Sequence, residues 1–541
     1  MRRQVLDILL ACAALLPFYS IYAAHCVNPD GASGFVQYDM PYYVANGREI
    51  FERGNGFAGP NPYDENSDAP TIYFHWFTWI LGFSVVVLGL DPGFVFVSLG
   101  LVAGICGSWL TLQIIRQLIP DNRAVTPVFL LSMWGGGLFV LFKCFLNLTQ
   151  GEPLLSDLLM FDLGRGWWFM SWGRNFILPT EAVYHAFAAG IWLCVLRRRE
   201  WSAMTLVLIL AATHPFTGIQ QLLILGAWNL AQLIVNLNSR RSSLSEQANE
   251  KSTPKFDLSP LWRGLVLTAG LAAFLGYYFV FLEQFSSHRN LRSTWALEWV
   301  VPPIVVALAY GVVMLLALQR MRGNWRKFVP ETWFFLVAFA VSFLLIQHDY
   351  FVKPHQPLHF TRGYVWLPLF LIAVPKISSW VISVKDKSGD VRQTLILAVA
   401  ILFASLDNIA FLTITTRDNS NNMPLNHDAR DAFRWMDEQL LEGVLLIPDD
   451  KLCYLSATFT SARPYYGHKF NTPDYQTRKE NVDNWKADGT QGDWMETIDY
   501  VLLPAEDSSL QRNVDDHWKS LYENNGFSLY GRNSLKSSLK N

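Results

Sequence analysis

Apolar runs of about 20 residues, the length that crosses a bilayer as a helix, recur through the first three-quarters of the chain and then stop. The first, Val5 to Ala24, follows Met1 and two arginines. An A-x-A-like end at Tyr22-Ala-Ala24 would suit a cleaved signal peptide, but the run's length and the many runs after it favour a retained helix. Arginines stay on the cytoplasmic side, so Arg2 and Arg3 place the segment after Ala24 outside the cytoplasm. The next run, Ile72–Leu90, is aromatic-rich and joined to Phe94–Ile115 only by Asp91-Pro-Gly93. Crossing twice there would break the charge rule, so Ile72–Leu90 is expected as an interfacial or partly inserted helix.

From that point charge and parity agree. Crossings are expected at Phe94–Ile115, Ala124–Phe145, Thr180–Val195, Ala203–Ala212, Ile219–Val235 and Leu261–Leu282. They continue at Trp299–Leu318, Thr332–Gln347, Gly363–Ile382 and Gln393–Leu412. Arg116 and Arg123, Arg197-Arg-Arg199, the Ser/Lys-rich segment 236–260, Arg320, Arg322, Arg326 and Lys327, and Lys385–Arg392 mark the cytoplasmic loops. The pattern predicts an α-helical polytopic membrane protein with about eleven transmembrane helices plus interfacial helices. Its N-terminus is expected in the cytoplasm, in an inner, plasma or ER-type membrane.

After Thr416 the long apolar runs end. Val444–Ile447 and Ile498–Leu503 read as short buried strands, and Asp428–Glu442 and Asn513–Glu523 as helices with apolar positions at i, i+3 and i+4. A small soluble α/β domain over 417–541, on the periplasmic or luminal side, follows a membrane module over 1–416. No repeat of solenoid period occurs.

Composition narrows the class. Of 541 residues 51% are hydrophobic and 16% charged, against about a quarter charged in soluble proteins. The 21 tryptophans suit long membrane–water interfaces. A formal net charge of -2 leaves no basic face for nucleic acid. The six cysteines show no metal spacing, and Cys26 and Cys453 pair only if both face an oxidising compartment. No cofactor is certain, and no ligand set indicates a divalent cation. No Walker loop, dinucleotide fingerprint, HExxH or nucleophile elbow appears.

The candidate chemistry starts in the loop 25–71, at Gln37-Tyr-Asp-Met-Pro-Tyr-Tyr43. A carboxylate held where a span emerges is costly and seldom idle. Asp39 suits a base that takes a proton from an attacking hydroxyl; standing before Met-Pro, it equally suits an N-cap of a helix over Met40–Arg53. Downstream come Gly54 and Gly56, Asn61-Pro-Tyr63, and the aromatic ramp Tyr73–Trp79. An apolar helix with a basic start, an external Asp-x-x-Tyr-Tyr helix, Gly-x-Gly, Asn-Pro-Tyr and an aromatic ramp resemble the opening of the GT-C glycosyltransferases. The resemblance extends to the multispan body and the external C-terminal domain.

It implies an integral membrane enzyme that moves sugar from a polyprenyl-phosphate donor to a glycan, lipid or protein acceptor on the non-cytoplasmic face. Asp39 would be the acid/base residue, with Tyr42, Tyr63 and His75 lining the pocket; His214, in the turn Thr213–Gly218, is a further candidate for that lining by its position alone. Many members carry an acidic pair in a second external loop; here that loop has Glu152, Asp157 and Asp162 but no adjacent pair.

The segment Lys353–Gly363 holds five nitrogen-bearing side chains, Lys353, His355, Gln356, His359 and Arg362. A guanidinium fork suits a lipid phosphate, with Arg362 first, then His359 and His355; the bland reading of Arg362 is a snorkelling anchor. Arg174, in the Trp-rich loop Gly164–Arg174, is a further phosphate candidate, although a Trp belt explains the aromatics there. His75 either orients Asp39 or is a satisfied interfacial histidine. His214 in a tight turn suits capping, and Glu181 a helix N-terminal carboxylate. Asn147-Leu-Thr149 is a glycosylation sequon. The competing readings are a transporter or flippase of lipid-linked saccharides, which would place polar groups on broken, repeated helices near the midplane, and an inactive scaffold.

Overall fold

In the computed structural model, residues 2–66, 68–246, 258–295, 297–322, 329–387, 390–418, 422–511, 514 and 517–533 are described. Every apolar run expected as a crossing is helical over most of its length, and several helices start with proline in the first turn, as at Pro179, Pro260, Pro303 and Pro330. There a missing N–H costs nothing. Six helices are long and apolar enough to cross a membrane: Arg3–Cys26, Pro92–Leu118, Pro215–Asn238, Ser259–Gln284, Pro303–Met321 and Trp366–Lys385. Two bent pairs raise the number to eight among the described residues. The chain is therefore a multi-pass integral membrane protein.

The expected total of about eleven also included Thr180–Val195, Ala203–Ala212 and Thr332–Gln347, which fall on the helices Pro179–Leu196, Glu200–Ala211 and Pro330–Ile346. The last two are apolar but short; at about 1.5 Å per residue, Glu200–Ala211 falls well short of a hydrocarbon core of about 30 Å. Trp76–Val87 is likewise short and apolar, in keeping with an interfacial helix. The helix Pro215–Glu246 runs well into the segment expected as a loop. Residues 247–257, Arg326 and Lys327 lie outside the described residues.

The chain forms two compact units: one of 1–20, 99–277 and 297–417, the other of 21–98, 278–296 and 418–541. Residues 21–98, which hold the loop after the first helix, thus share a unit with the C-terminal residues.

In the first unit the bent pairs are Asn122–Trp134 with Phe139–Gln150, at 61°, and Val391–Ala404 with Leu406–Thr415, at 59°. Each break leaves backbone groups without helical partners, and the two breaks satisfy one another. The Gly136 N–H donates to Ala404 O at 2.8 Å, and Asn408 Nδ2 donates to Trp134 O at 2.7 Å. The Asp407 carboxylate accepts from the N–H groups of Gly137 at 2.8 Å, Phe139 at 3.4 Å and Val140 at 2.9 Å, capping the second half of the first pair. A Cβ on Gly136 would come within 2.9 Å of the Asp407 Cβ, so the close approach requires glycine.

In the second unit a five-stranded sheet has the order β2-β1-β3-β5-β4. Its strands are β1 (Val444–Leu446), β2 (Arg463–Pro464), β3 (Tyr500–Pro504), β4 (Trp518–Glu523) and β5 (Phe527–Arg532). β1 runs parallel to β2 and β3, while β5 is antiparallel to β3 and β4. The helix expected over 513–523 is corrected, since 518–523 form β4. The Asn524 side chain accepts from the N–H groups of Gly526 and Phe527 at 3.0 and 2.8 Å, an Asx turn that closes a hairpin and overrides helical spacing. All six cysteines are unpaired, Cys26 exposed and Cys453 buried. Asn147 of the sequon is buried and spends its amide on the carbonyls of Leu154 and Ser156.

Asp407→Ala leaves three amide N–H groups without an acceptor and is expected to cost about 1–3 kcal/mol; Asp407→Asn, which keeps an acceptor, should cost less. Denaturant unfolding of the detergent-purified protein measures both. Equal stability of Asp407→Ala and the parent would show that the junction does not depend on this carboxylate.

Candidate functional site

Asp39 stands immediately before the helix Met40–Glu52, yet its side chain makes no capping bond. The four leading positions account for the reason. The Asp39 N–H donates to Gln37 Oε1 at 2.8 Å and the Met40 N–H to Gln37 O at 3.2 Å. Pro41 has no N–H, and the Tyr42 N–H donates to the Tyr454 hydroxyl at 3.1 Å. With those donors satisfied, the carboxylate is released from the cap, and its side chain is 56% exposed.

The carboxylate is nevertheless oriented. Gln37 Nε2 donates to Oδ2 at 3.2 Å, and His468 Nε2 lies 3.5 Å from Oδ1. On the far side of that ring, Nδ1 accepts from the Phe470 N–H at 3.2 Å and from Asn471 Nδ2 at 2.8 Å. Two donors at Nδ1 assign the ring proton to Nε2, where it points at Asp39. His468 is 4% exposed and lies among the rings of Tyr38, Tyr42, Tyr63 and Tyr454, with centroids 5.0, 5.2, 6.0 and 5.4 Å away. Burial pushes the Tyr42 hydroxyl up to about 12, with the Asp39 charge adding to the shift, so it stays a neutral phenol. The expected Tyr42 and Tyr63 are therefore beside Asp39 through His468, stacked 6.2 Å apart.

The Asn61-Pro-Tyr turn is pinned by Asn61 Nδ2 donating to Asn471 O at 2.7 Å. Arg463 is structural: its guanidinium pairs with the buried Glu49 at 3.1 Å and donates to the carbonyls of Asp64 and Asn66. That bond ties the Asp39 helix to β2. His75 caps the helix Trp76–Gly82, its Nδ1 accepting from the Thr78 N–H at 3.2 Å; desolvation lowers its pKa to about 3.

In the first unit, Arg362 precedes Gly363, whose φ is +75° and whose Cβ would press on Trp172 at 2.9 Å; a glycine is required to bring the guanidinium where it lies. The Arg362 Nη1 is 3.1 Å from Glu181 Oε1, and the guanidinium sits 4.8 Å from the Trp168 ring centroid. His185, one turn after Glu181, bonds the Arg362 carbonyl through Nε2 at 2.7 Å. His359 stacks on Phe216 with centroids 4.2 Å apart and meets Trp168 edge-on at 5.0 Å. Burial first, then the Arg362 charge, holds His359 well below the usual imidazole range, so the ring is neutral. Lys353 and His355 are exposed, His355 through its N–H bonded to His348 Nε2 at 2.9 Å.

One expectation changes. Arg174, expected at the donor phosphate, is buried. Its fork is committed to Asp162 at 2.5 Å, Gly166 O at 3.0 Å and Asn408 Oδ1 at 2.8 Å, so it is an internal strut. His214 caps the helix at Pro215, its Nδ1 accepting from the Thr217 N–H at 3.2 Å, and stacks on Tyr184. Sequence reasoning assigned no role to His468, left the Trp168 loop between a ligand-binding surface and a Trp belt, and read Glu181 only as a helix-terminal charge. Among the described residues no group of three or more His, Cys, Asp or Glu could hold a metal.

His75 must be neutral to accept from Thr78, whereas the unfolded chain protonates it near its ordinary 6.5. Unfolding then takes up a proton between about pH 6.5 and 3, so His75 contributes stability above pH 6.5 that is lost as pH falls through that window. Melting curves in detergent should drop on acidification, and His75→Asn, a side chain that still caps, should flatten the drop.

No protein-family model matches the chain. The phosphoethanolamine transferase CptA of Salmonella typhimurium is 28% identical over a match covering 25% of this chain and 29% of that relative. The match thus spans less than a third of the relative's length. Among solved structures, the chain is similar to the archaeal oligosaccharyltransferase AglB of Archaeoglobus fulgidus in complex with an inhibitory peptide and a dolichol-phosphate. That likeness has a TM-score of 0.45 at 11% identity, covering 93% of this chain and 70% of the other. It is also similar to ArnT of Cupriavidus metallidurans bound to undecaprenyl phosphate, with a TM-score of 0.46 at 11% identity and 99% of each chain covered.

Proposed function

We propose that the chain is a membrane transferase of the GT-C type. It moves a sugar from a polyprenyl-phosphate donor to an acceptor hydroxyl or amide on the non-cytoplasmic face, with inversion. Asp39 takes the acceptor's proton as its oxygen or nitrogen attacks the anomeric carbon. The bond from that carbon to the phosphate oxygen breaks, and polyprenyl phosphate leaves. His468 is a positioning residue that holds the Asp39 carboxylate from behind. Arg362 and His359 hold the donor phosphate, Arg362 as a charged fork and His359 as a neutral donor. These roles rest on the two compact units separately.

The observation that carries the reading is the release of Asp39. A carboxylate at a helix N-terminus ordinarily caps it, and here Gln37 and Tyr454 satisfy the donors instead, leaving an oriented, half-exposed base. The coarser word, transferase, is also the word in the name of the partly matching Salmonella relative.

The two bent helix pairs are the feature a transporter would use. Their polar groups, however, are bonded to one another: Asp407 to three backbone amides, Arg174 to Asp162 and Asn408. That consumption favours a fixed junction over a transport site.

The test is transfer of labelled sugar from a polyprenyl-phosphate hexose by the purified protein. Asp39→Asn is expected to lower the rate about 10²–10⁴-fold with an unchanged melting curve; full activity in a folded Asp39→Asn protein overturns the assignment. Tyr454→Phe removes the hydroxyl from the Tyr42 N–H. The Asp39 carboxylate is then drawn to the cap, so activity should fall at least tenfold while stability falls by only about 1 kcal/mol. An unaltered rate would separate Asp39's availability from the Tyr454 bond.

A further inference from the structure

Around Arg362 the first unit gathers polar atoms whose hydrogen bonding the protein leaves incomplete. The Arg362 Nε and Nη1, the His359 Nδ1 and the Glu181 Oε2 are all buried without a hydrogen-bond partner in the protein, although Nη1 faces Glu181 Oε1 across the 3.1 Å ion pair. Buried polar groups are nearly always paired, so each such atom asks what it is for. Three belong to groups that donate to an oxyanion, and they lie round Trp168, which both Arg362 and His359 touch. The fourth is different in kind. A carboxylate oxygen accepts only, and beside an oxyanion it repels. Glu181 is 4% exposed and sits in the first turn of the helix Pro179–Leu196. The nearest ring nitrogen to Oε2, His185 Nδ1, is 3.7 Å away, beyond hydrogen-bond reach.

Charge arithmetic sharpens the point. Arg362 and Glu181 balance each other, and His359 is neutral. A phosphodiester adds one negative charge to that balance, and a phosphomonoester adds close to two. An acceptor-only oxygen in this position is satisfied by a ligand that also carries an O–H donor next to its phosphate.

We propose that Glu181 accepts a hydrogen bond from a hydroxyl of the group esterified to the phosphate, making it the residue by which this site selects a hydroxyl-bearing phosphodiester. The ligand class is a lipid-linked sugar phosphate, as against a lipid phosphodiester without hydroxyls. The selection rests on the reading of Arg362 and His359 as the phosphate contacts. The Glu181–Arg362 ion pair has a second consequence for the same site: a phosphate that has lost its sugar loses the hydroxyl partner and gains repulsion, which favours its departure.

The experiment compares two probes of equal lipid and equal charge, polyprenyl-phosphate hexose and polyprenyl methyl phosphate, by equilibrium binding to the full chain in nanodiscs. The parent protein should bind the hexose probe roughly tenfold or more tightly, the discrimination expected when a buried polar group is left unpaired by the wrong ligand. Equal binding by the parent overturns the proposal without any variant. Glu181→Ala, and Glu181→Leu should Ala fail to fold, are expected to cut the ratio to below threefold, chiefly by weakening the hexose probe. An unchanged ratio in a folded variant also overturns it. Arg362→Ala separates the two readings. Loss of both probes supports the phosphate contact whatever Glu181 does, and unaltered binding of both overturns the phosphate reading and the Glu181 selection together.

Discussion

The hydrogen bond from the Tyr42 N–H to the Tyr454 hydroxyl governs the chemistry available to the second unit. Helix N-termini present donors that must be met, and an aspartate in the N-cap position meets them at low cost. Had the C-terminal residues not supplied a hydroxyl at that point, Asp39 would be a cap with no capacity left. Tyr454 also donates to Tyr38 O at 2.7 Å, so one hydroxyl fixes the backbone on both sides of Asp39. The ion pair between Glu49 and Arg463 holds the same helix further along. The C-terminal residues are thus part of what makes Asp39 a candidate base, and residues 21–98 and 418–541 belong to one compact unit.

What could be read from the chain depended on the range of the interactions involved. Helix positions in the membrane body follow from continuous apolar runs with proline at several of their starts, a local property, and each expected run falls largely on observed helix, although Pro215–Glu246 runs past its expected end. The two bends depend on Asp407 reaching the amides of Gly137, Phe139 and Val140, more than 260 residues away in the chain. The Gly135-Gly-Gly137 triplet was the one local sign. The segment 518–523 went the other way: its i, i+3, i+4 spacing suits a helix, but pairing with Phe527–Arg532 across an Asn524 turn supplies a ladder that local spacing does not register.

The site shows the same division. Arg174 and Arg362 look alike in sequence, each in an aromatic loop at the end of a span. Arg174 meets Asp162, a backbone carbonyl and an asparagine oxygen, and its charge is consumed in fixing the loop. Arg362 meets a single carboxylate oxygen, through Nη1, and an indole face, and its Nε has no hydrogen-bond partner in the protein. A buried guanidinium with unmet donors is costly unless a ligand repays it. The carboxylate partner lies 12 residues from Arg174 but 181 residues from Arg362, and only the first distance is within reach of local reasoning.

Asp39 and Arg362 thus arrive at readiness by opposite routes. Asp39 is made available because another group takes over its structural duty, whereas Arg362 is made available because its structural partner is too small to use it up. A carboxylate kept exposed and oriented can exchange its proton with solvent between turnovers, as a base must. A guanidinium kept buried gains strength toward an oxyanion because water does not compete for it. Interchanging the two environments would defeat both roles: a buried Asp39 would favour its neutral form, and an exposed Arg362 would be screened. The placement of each group in the environment its proposed role needs is a stronger argument for a transferase than the presence of the residue types alone.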